Sequence, residues 1–168
     1  MGINAKHAEV LVQQLNVLLV DDNAFTRKLV RALLNNIGVK NITEAGDGIA
    51  ALEAIRQVPP DVIILDWEMP LLNGPELVRI VRSPGVFPAP DVPIIMLSSH
   101  GERLRIVESV KLGVNEFLCK PVSAKALLDR LVSILLKPRV SVQFDGYYGP
   151  APRQPAIKGE RPGNKPAA

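Results

Sequence analysis

The sequence predicts an α/β fold built on a doubly wound, five-stranded parallel sheet, and three observations lead there. Five short apolar runs alternate with five stretches of helical spacing, the pattern of strands joined by crossover helices. The runs are continuous rather than alternating, as strands covered on both faces must be. At 168 residues the chain can bury one hydrophobic core and carry an appendage, but is too short for two ordinary domains.

Residues 1–15 read as an N-terminal extension before the first strand, VLLV at 17–20. In the following FTRKLVRALLNNIG, Phe25, Leu29, Leu33 and Ile37 fall four apart on one face, and Gly38 is the stop. The second strand is NIT at 41–43, followed by GDGIAALEAIRQV, where Ile49, Leu52 and Ile55 repeat the pattern until Pro59 and Pro60 end it. VIIL at 62–65 is the third strand. The helix GPELVRIVR carries Pro75 in its first turn, where a missing N–H costs nothing. Residues 83–93 hold four prolines and read as a stiff surface excursion, longer than the usual connection. IIML at 94–97 and EFL at 116–118 complete the sheet, each followed by a helix, the last capped by Ser123.

An apolar fraction of 47% suits a globular body, and no run approaches the roughly 20 residues needed to cross a bilayer. A soluble, cytoplasmic protein with no membrane partner is expected. The single Cys119 excludes an internal disulfide and a multi-cysteine metal site, fits a reducing compartment, and reads as a small buried hydrophobe. The net charge of +3 is uneven: residues 1–136 carry 14 basic against 15 acidic side chains, and residues 137–168 carry 6 against 2. A body of net −1 offers no basic patch, which argues against a nucleic-acid partner.

In an open parallel sheet, ligands bind outside the carboxyl ends of the strands. The first strand delivers Asp21 and Asp22 there, the third Asp66, the fourth Ser98 and Ser99, and the fifth Lys120 before Pro121. Singly these are ordinary: acidic residues favour helix starts, and Ser98 could be a turn residue, Lys120 a solvated loop residue and Phe117 a core aromatic. Their arrival on four strand ends is not ordinary. Three adjacent carboxylates repel unless a cation joins them, and Mg2+ suits best because it accepts few carboxylates and leaves room for a phosphate oxygen. Lys120 and Ser98 would then contact an anion bridging to the metal, while Asp66 attacks a phosphoryl group.

The set LLVDDN, VIILDWEMP, IIMLSS and EFLCKP, in this order and spacing, resembles the receiver domain of two-component response regulators, a CheY-like, flavodoxin-like (βα)5 fold. The resemblance spans about residues 16–137 and implies the strand order 2-1-3-4-5. It makes Asp66 the phosphoacceptor, Asp21 and Asp22 the acidic pair with Asp22 a direct metal ligand, and the backbone carbonyl of Glu68 a further ligand. Ser98 takes the hydroxyl position, Phe117 that of the switch aromatic, and Lys120 that of the lysine, with a cis bond to Pro121. Glu68 and His100, each two residues beyond a site residue, would tune attack by water.

The resemblance further implies a sensor histidine kinase or a histidine phosphotransfer protein as phosphodonor, and no enzymatic role beyond self-phosphorylation and self-dephosphorylation. With little chain after residue 137, output is expected through protein contact on the face of the last two helices and the fifth strand. A phosphorelay intermediate or phosphate sink is the nearest alternative. A flavodoxin-like cofactor binder would want a phosphate-cradling first loop where DDNAFTR offers carboxylates. An aspartyl-nucleophile phosphatase would want a general acid close after Asp66.

Residues 138–168, with six Pro and four Gly, form a basic tail. Val140, Val142 and Phe144 alternate as in a strand before a Gly-Pro turn, and residues 150–168 read as flexible. A disordered end, an arm exchanged in a homodimer and a partner-docking arm all remain open.

Overall fold

The backbone polar groups of five apolar runs can leave water only by pairing, and here they pair into one sheet. The computed structural model describes residues 2–153. Its strands are β1 (Asn16–Val20), β2 (Asn41–Ala45), β3 (Val62–Asp66), β4 (Ile94–Ser98) and β5 (Glu116–Cys119), then β6 (Ser141–Phe144) and β7 (Tyr147–Pro150). The helices are α1 (Ala5–Val12), α2 (Ala24–Asn36), α3 (Gly48–Gln57), α4 (Gly74–Val81), α5 (Arg103–Leu112) and α6 (Ala124–Leu136). No helix among the described residues is long and apolar enough to cross a membrane.

The main sheet is parallel throughout, in the order β2-β1-β3-β4-β5, as expected. Every residue of β3 and β4 is buried. Successive side chains point to opposite faces, so each strand feeds two cores. Leu18, Ile63, Leu65, Ile94 and Met96 pack with α3 and α4. Leu19, Ile64, Ile95 and Leu97 pack with α2 and α6. Side-chain caps open α2 (Asn23), α3 (Asp47), α4 (Asn73) and α6 (Ser123). Of these the sequence reading named only Ser123. Asn73 forms a full capping box with Glu76.

Several expectations are corrected. The row Phe25, Leu29, Leu33, Ile37 does not share one face: Phe25 is 70% and Leu29 52% exposed, Leu33 and Ile37 pack half-buried against the core, and the buried residues are Val30 and Leu34. A step of four residues overshoots one turn by about 40°, so a four-residue row winds around the helix and its ends cannot share a face. In α3 the buried residues are Gly48, Ala51 and Ile55, while Ile49 is exposed. Cys119 is exposed too: it closes the outermost strand, β5, beyond which no further strand of the sheet lies among the described residues. The 83–93 excursion is anchored rather than external, with Phe87 and Val92 buried in the core.

Residues 1–15, for which the sequence predicts no element, contain α1. Ala8 and Val12 are fully buried, and Val12 joins the core that Leu127 and Leu131 of α6 complete. The tail is ordered through Arg153, while residues 154–168 of the segment read as flexible lie outside the described residues. The strand read at 140–144 is β6, but the turn is not Gly149-Pro150, which belongs to β7. The chain reverses at Asp145-Gly146, with φ of 46° and 78°, the pair of positive angles a two-residue hairpin needs. The hairpin folds onto its own chain. Gly149 lies so close to Gly113 that a Cβ would stand 2.9 Å from the Gly113 Cα. Tyr148 donates its hydroxyl to Asp91, and Arg139 donates to the Asn115 carbonyl at 2.7 Å.

Beneath the hairpin lies Arg82, buried at the end of α4. Its guanidinium donates to the carbonyls of Gly113 (3.0 Å), Pro90 (2.7 Å) and Val92 (2.6 Å) and to Asn115 Oδ1 (3.0 Å). Burial lowers its pKa to about 10, so it stays charged at neutral pH. Without it, three carbonyls and an amide would lose a common donor. Arg82→Met is expected to lower the unfolding free energy by about 3 kcal/mol, read as a lower urea midpoint at unchanged slope. Arg82→Lys should recover only part, and an unmoved midpoint in Arg82→Met would show that water serves these acceptors equally well.

Candidate functional site

A buried strand that ends on a carboxylate holds that carboxylate at the rim of a rigid sheet. Asp66 closes β3 and is 6% exposed. Asp21, 1% exposed, follows β1, and Asp22 beside it reaches solvent. One carboxylate oxygen from each of Asp21, Asp22 and Asp66 lies within 4.8 Å of the others. Local bonds fix the end of β1. Asp21 Oδ1 accepts from Asn23 N at 2.8 Å, and Asn23 in turn caps α2 by accepting from Phe25 N and Thr26 N. Arg27 reaches back from α2 to donate to the Asp21 carbonyl at 2.7 Å.

Lys120 supplies the opposing charge, with Nζ 2.9 Å from Asp66 Oδ1 and 3.5 Å from Asp21 Oδ2. Its backbone N–H donates to the Ser98 carbonyl at 2.8 Å, and the following bond to Pro121 is cis. Burial pushes the Asp66 pKa up, Lys120 counters this, and Asp21 and Asp22 add to it by repulsion. Burial works to lower the Lys120 pKa, but the hydrogen bond and charge of Asp66, with Asp21, outweigh it and the pKa is raised. Three carboxylates against one ammonium leave the corner with a net charge near −2. A donor set of three hard oxygens around an uncompensated charge fits a divalent cation.

Ser98 ends β4 and is 1% exposed; its Oγ accepts from His100 N at 3.1 Å, which leaves the hydroxyl hydrogen free to donate. Phe117 pairs with Met96 across β4 and β5 and packs, half-buried, against the core. The structure thus joins Asp21, Asp22, Asp66 and Lys120 by direct proximity, and sets Ser98 and Phe117 on the two adjoining strands. Glu68 follows in the β3–α4 loop. Its carboxylate meets His100 Nε2 and Arg105 Nη1, each at 3.3 Å.

Two residues beside this site escaped the sequence reading. Gly74 backs Asp66: its N–H donates to the Trp67 carbonyl at 2.9 Å, and a Cβ there would stand 2.6 Å from the Asp66 carbonyl oxygen. The GP pair opening α4 was a visible signal, but of a helix start rather than of a close approach. Arg105, whose guanidinium lies 4.5 Å from the Trp67 ring centroid, had no signal in RLRIVESVKL to set it apart.

Comparison with known proteins agrees with this geometry. The sequence model for the response regulator receiver domain matches residues 17–132. Chemotaxis protein CheY-3 of Vibrio cholerae is 31% identical over 125 residues, covering 74% of this chain and 95% of that protein. Chemotaxis protein CheY1 of Helicobacter pylori is 33% identical over 122 residues, covering 72% and 97%. Among solved structures, chemotaxis protein CheY4 of Vibrio cholerae superposes with a TM-score of 0.64 at 33% identity, over 71% of this chain and 97% of that one. The receiver domain of the histidine kinase CKI1 from Arabidopsis thaliana, complexed with Mg2+ and BeF3−, gives 0.62 at 26% identity, over 77% and 96%. Fold, register and strand-end chemistry meet in one conclusion: the chain belongs to the response regulator receiver domain family.

Proposed function

We propose that this chain is a phosphoacceptor signalling protein in which Asp66 takes a phosphoryl group from a phosphohistidine on a sensor histidine kinase or a histidine phosphotransfer protein. The observation that carries the reading is the Asp21, Asp22, Asp66 cluster with Lys120 bonded to Asp66. Asp66 Oδ attacks phosphorus, a P–O bond forms, and the P–N bond breaks with its electron pair returning to the imidazole. Asp21, Asp22, Asp66 and the Glu68 carbonyl would hold Mg2+, which when bound screens the charge on the phosphoryl oxygens. Lys120, already at Asp66 Oδ1, is placed to pair with a phosphoryl oxygen. Ser98 donates its free hydroxyl hydrogen to another.

The switch follows from the same contacts. A Ser98 drawn toward the phosphoryl group pulls the end of β4, and the half-buried Phe117 turns inward on β5. The face of α5, β5 and α6 would carry that change to a protein partner. The tail hairpin borders this face: Phe117, Ile106, Val110, Tyr147 and Pro150 line one cavity of about 670 Å³. We read the protein as cytoplasmic and non-enzymatic apart from its own phosphorylation and dephosphorylation, with exchange of the tail in a homodimer as an assembly to test by light scattering.

Phosphoramidate with Mg2+ should add one phosphoryl group to the parent protein and none to Asp66→Asn, read by intact mass; equal labelling of both would place the acceptor elsewhere. Trp67, the only tryptophan in the sequence and the neighbour of Asp66, should report Mg2+ binding by fluorescence. Asp22→Ala is expected to weaken that binding about tenfold or more. Protons compete with the cation for the Asp66 carboxylate, and its pKa is raised. Mg2+ affinity should therefore fall on acidification at a higher pH than the titration of an exposed aspartate, and fall less in Asp66→Asn. With beryllofluoride and Mg2+, amide NMR shifts should extend from Ser98 to Phe117; shifts confined to the Asp66 loop would exclude the proposed switch.

A further inference from the structure

Around the mouth of the acidic corner, one ion cluster has no part in the reading above. Glu68 sits two residues after Asp66, and its Oε1 is shared by His100 and Arg105, each at 3.3 Å. His100 Nδ1 also lies 3.6 Å from Glu102. Exposed ion pairs of this kind usually contribute little, because long side chains must be held in one geometry. Arg105 is different in one respect: it is already held. Its guanidinium rests on the Trp67 ring, the indole is 7% exposed, and the Arg105 side chain is only 25% exposed. It also bridges two elements, the loop after β3 and the first turn of α5. With Trp67, Glu68, Met69, Pro70 and Asn73 it lines an open depression of about 410 Å³ beside the strand end that carries Asp66.

We propose that Arg105 is a positioning residue for phosphoryl transfer: clamped on Trp67, it holds the Glu68 carboxylate against α5 and cancels its charge where an anionic phosphodonor enters. This rests on the phosphoacceptor reading of Asp66. The corner already has a net charge near −2, and a free Glu68 would add a further unit beside the approach of an anion. Arg105 reaches the donor only through Glu68, since the structure gives it no contact with Asp21, Asp22, Asp66 or Lys120. The reaction it serves balances without a proton. Phosphoramidate, as the zwitterionic monoanion, loses ammonia with the P–N electron pair while Asp66 gains the P–O bond, leaving an acyl phosphate dianion.

The test is the second-order rate of phosphorylation by phosphoramidate and Mg2+, followed by intact mass at low and high ionic strength. Arg105→Ala should react about threefold more slowly at low salt and match the parent at high salt, where the uncancelled charge is screened. Arg105→Lys, which keeps the charge, should retain most of the rate. In a Glu68→Gln background the Arg105→Ala change should slow the reaction less, because only the direct loss of the guanidinium charge remains. A parent rate in Arg105→Ala at low salt, or the same slowing with and without the Glu68 carboxylate, overturns the proposal while leaving Asp66 as phosphoacceptor. No labelling of the parent protein at all overturns that reading and the role of Arg105 with it.

Discussion

The crowding of three carboxylates around one ammonium is the constraint on which the molecule turns. At separations within 4.8 Å and an effective dielectric of about 20, each like-charged pair costs at least roughly 3 kcal/mol. A flexible scaffold would relieve that cost by moving apart. This one cannot, because β1 is buried from Val17 onward and β3 and β4 throughout, with helices on both faces. Main-chain bonds extend the sheet past its last residues: Trp67 N donates to Leu97 O at 2.9 Å, and Lys120 N to Ser98 O at 2.8 Å. The residual repulsion is held ready for a cation, and the Lys120 contact with Asp66 leaves it only partly offset.

At the opposite end of the strands the electrostatics are reversed. Arg82 is a buried cation held by neutral oxygens, three carbonyls and the Asn115 amide, without a carboxylate in contact among the described residues. Asn115 Oδ1 also accepts from Ile94 N at 3.0 Å, so one side chain secures both the guanidinium and the start of β4. The 83–93 excursion, the end of α5 and the hairpin all converge on this clamp. One pole of the sheet is therefore charged and open to solvent, and the other is tied together around a buried cation.

The sequence made the charged pole legible and the Arg82 pole almost invisible, for a physical reason. A carboxylate closing a four-residue apolar run breaks the binary pattern, so Asp66 stands out, and Asp21, Ser98 and Lys120 are found by asking the same of each strand. Arg82 breaks nothing: in GPELVRIVR it is one more polar position on a helix, and its acceptors at 90, 92, 113 and 115 meet only in three dimensions. The hairpin is intermediate. Alternation revealed β6, but the Asp-Gly pair that reverses the chain was passed over for a Gly-Pro pair that lies within β7. The misplaced face of α2 came from treating four-residue spacing as a straight line, and α1 is too short for its two buried residues, Ala8 and Val12, to declare a pattern.

An open sheet has two outer strands, and each presents unpaired amide and carbonyl groups to any passing chain. On β2 the danger is met by charge, since Glu44 lies under Arg27 and Arg31 at 3.2 and 2.6 Å and most of the strand is polar. On β5, four residues long and with half-buried Phe117 at its centre, charge alone guards less well. There Arg139 occupies the Asn115 carbonyl just ahead of the strand, and the hairpin stands against its lower end. The hairpin's own strands pair with each other, Ser141–Phe144 against Tyr147–Pro150. The appendage that lengthens the chain thus also takes up the carbonyl at the foot of β5, one of the groups that a passing chain would otherwise pair with.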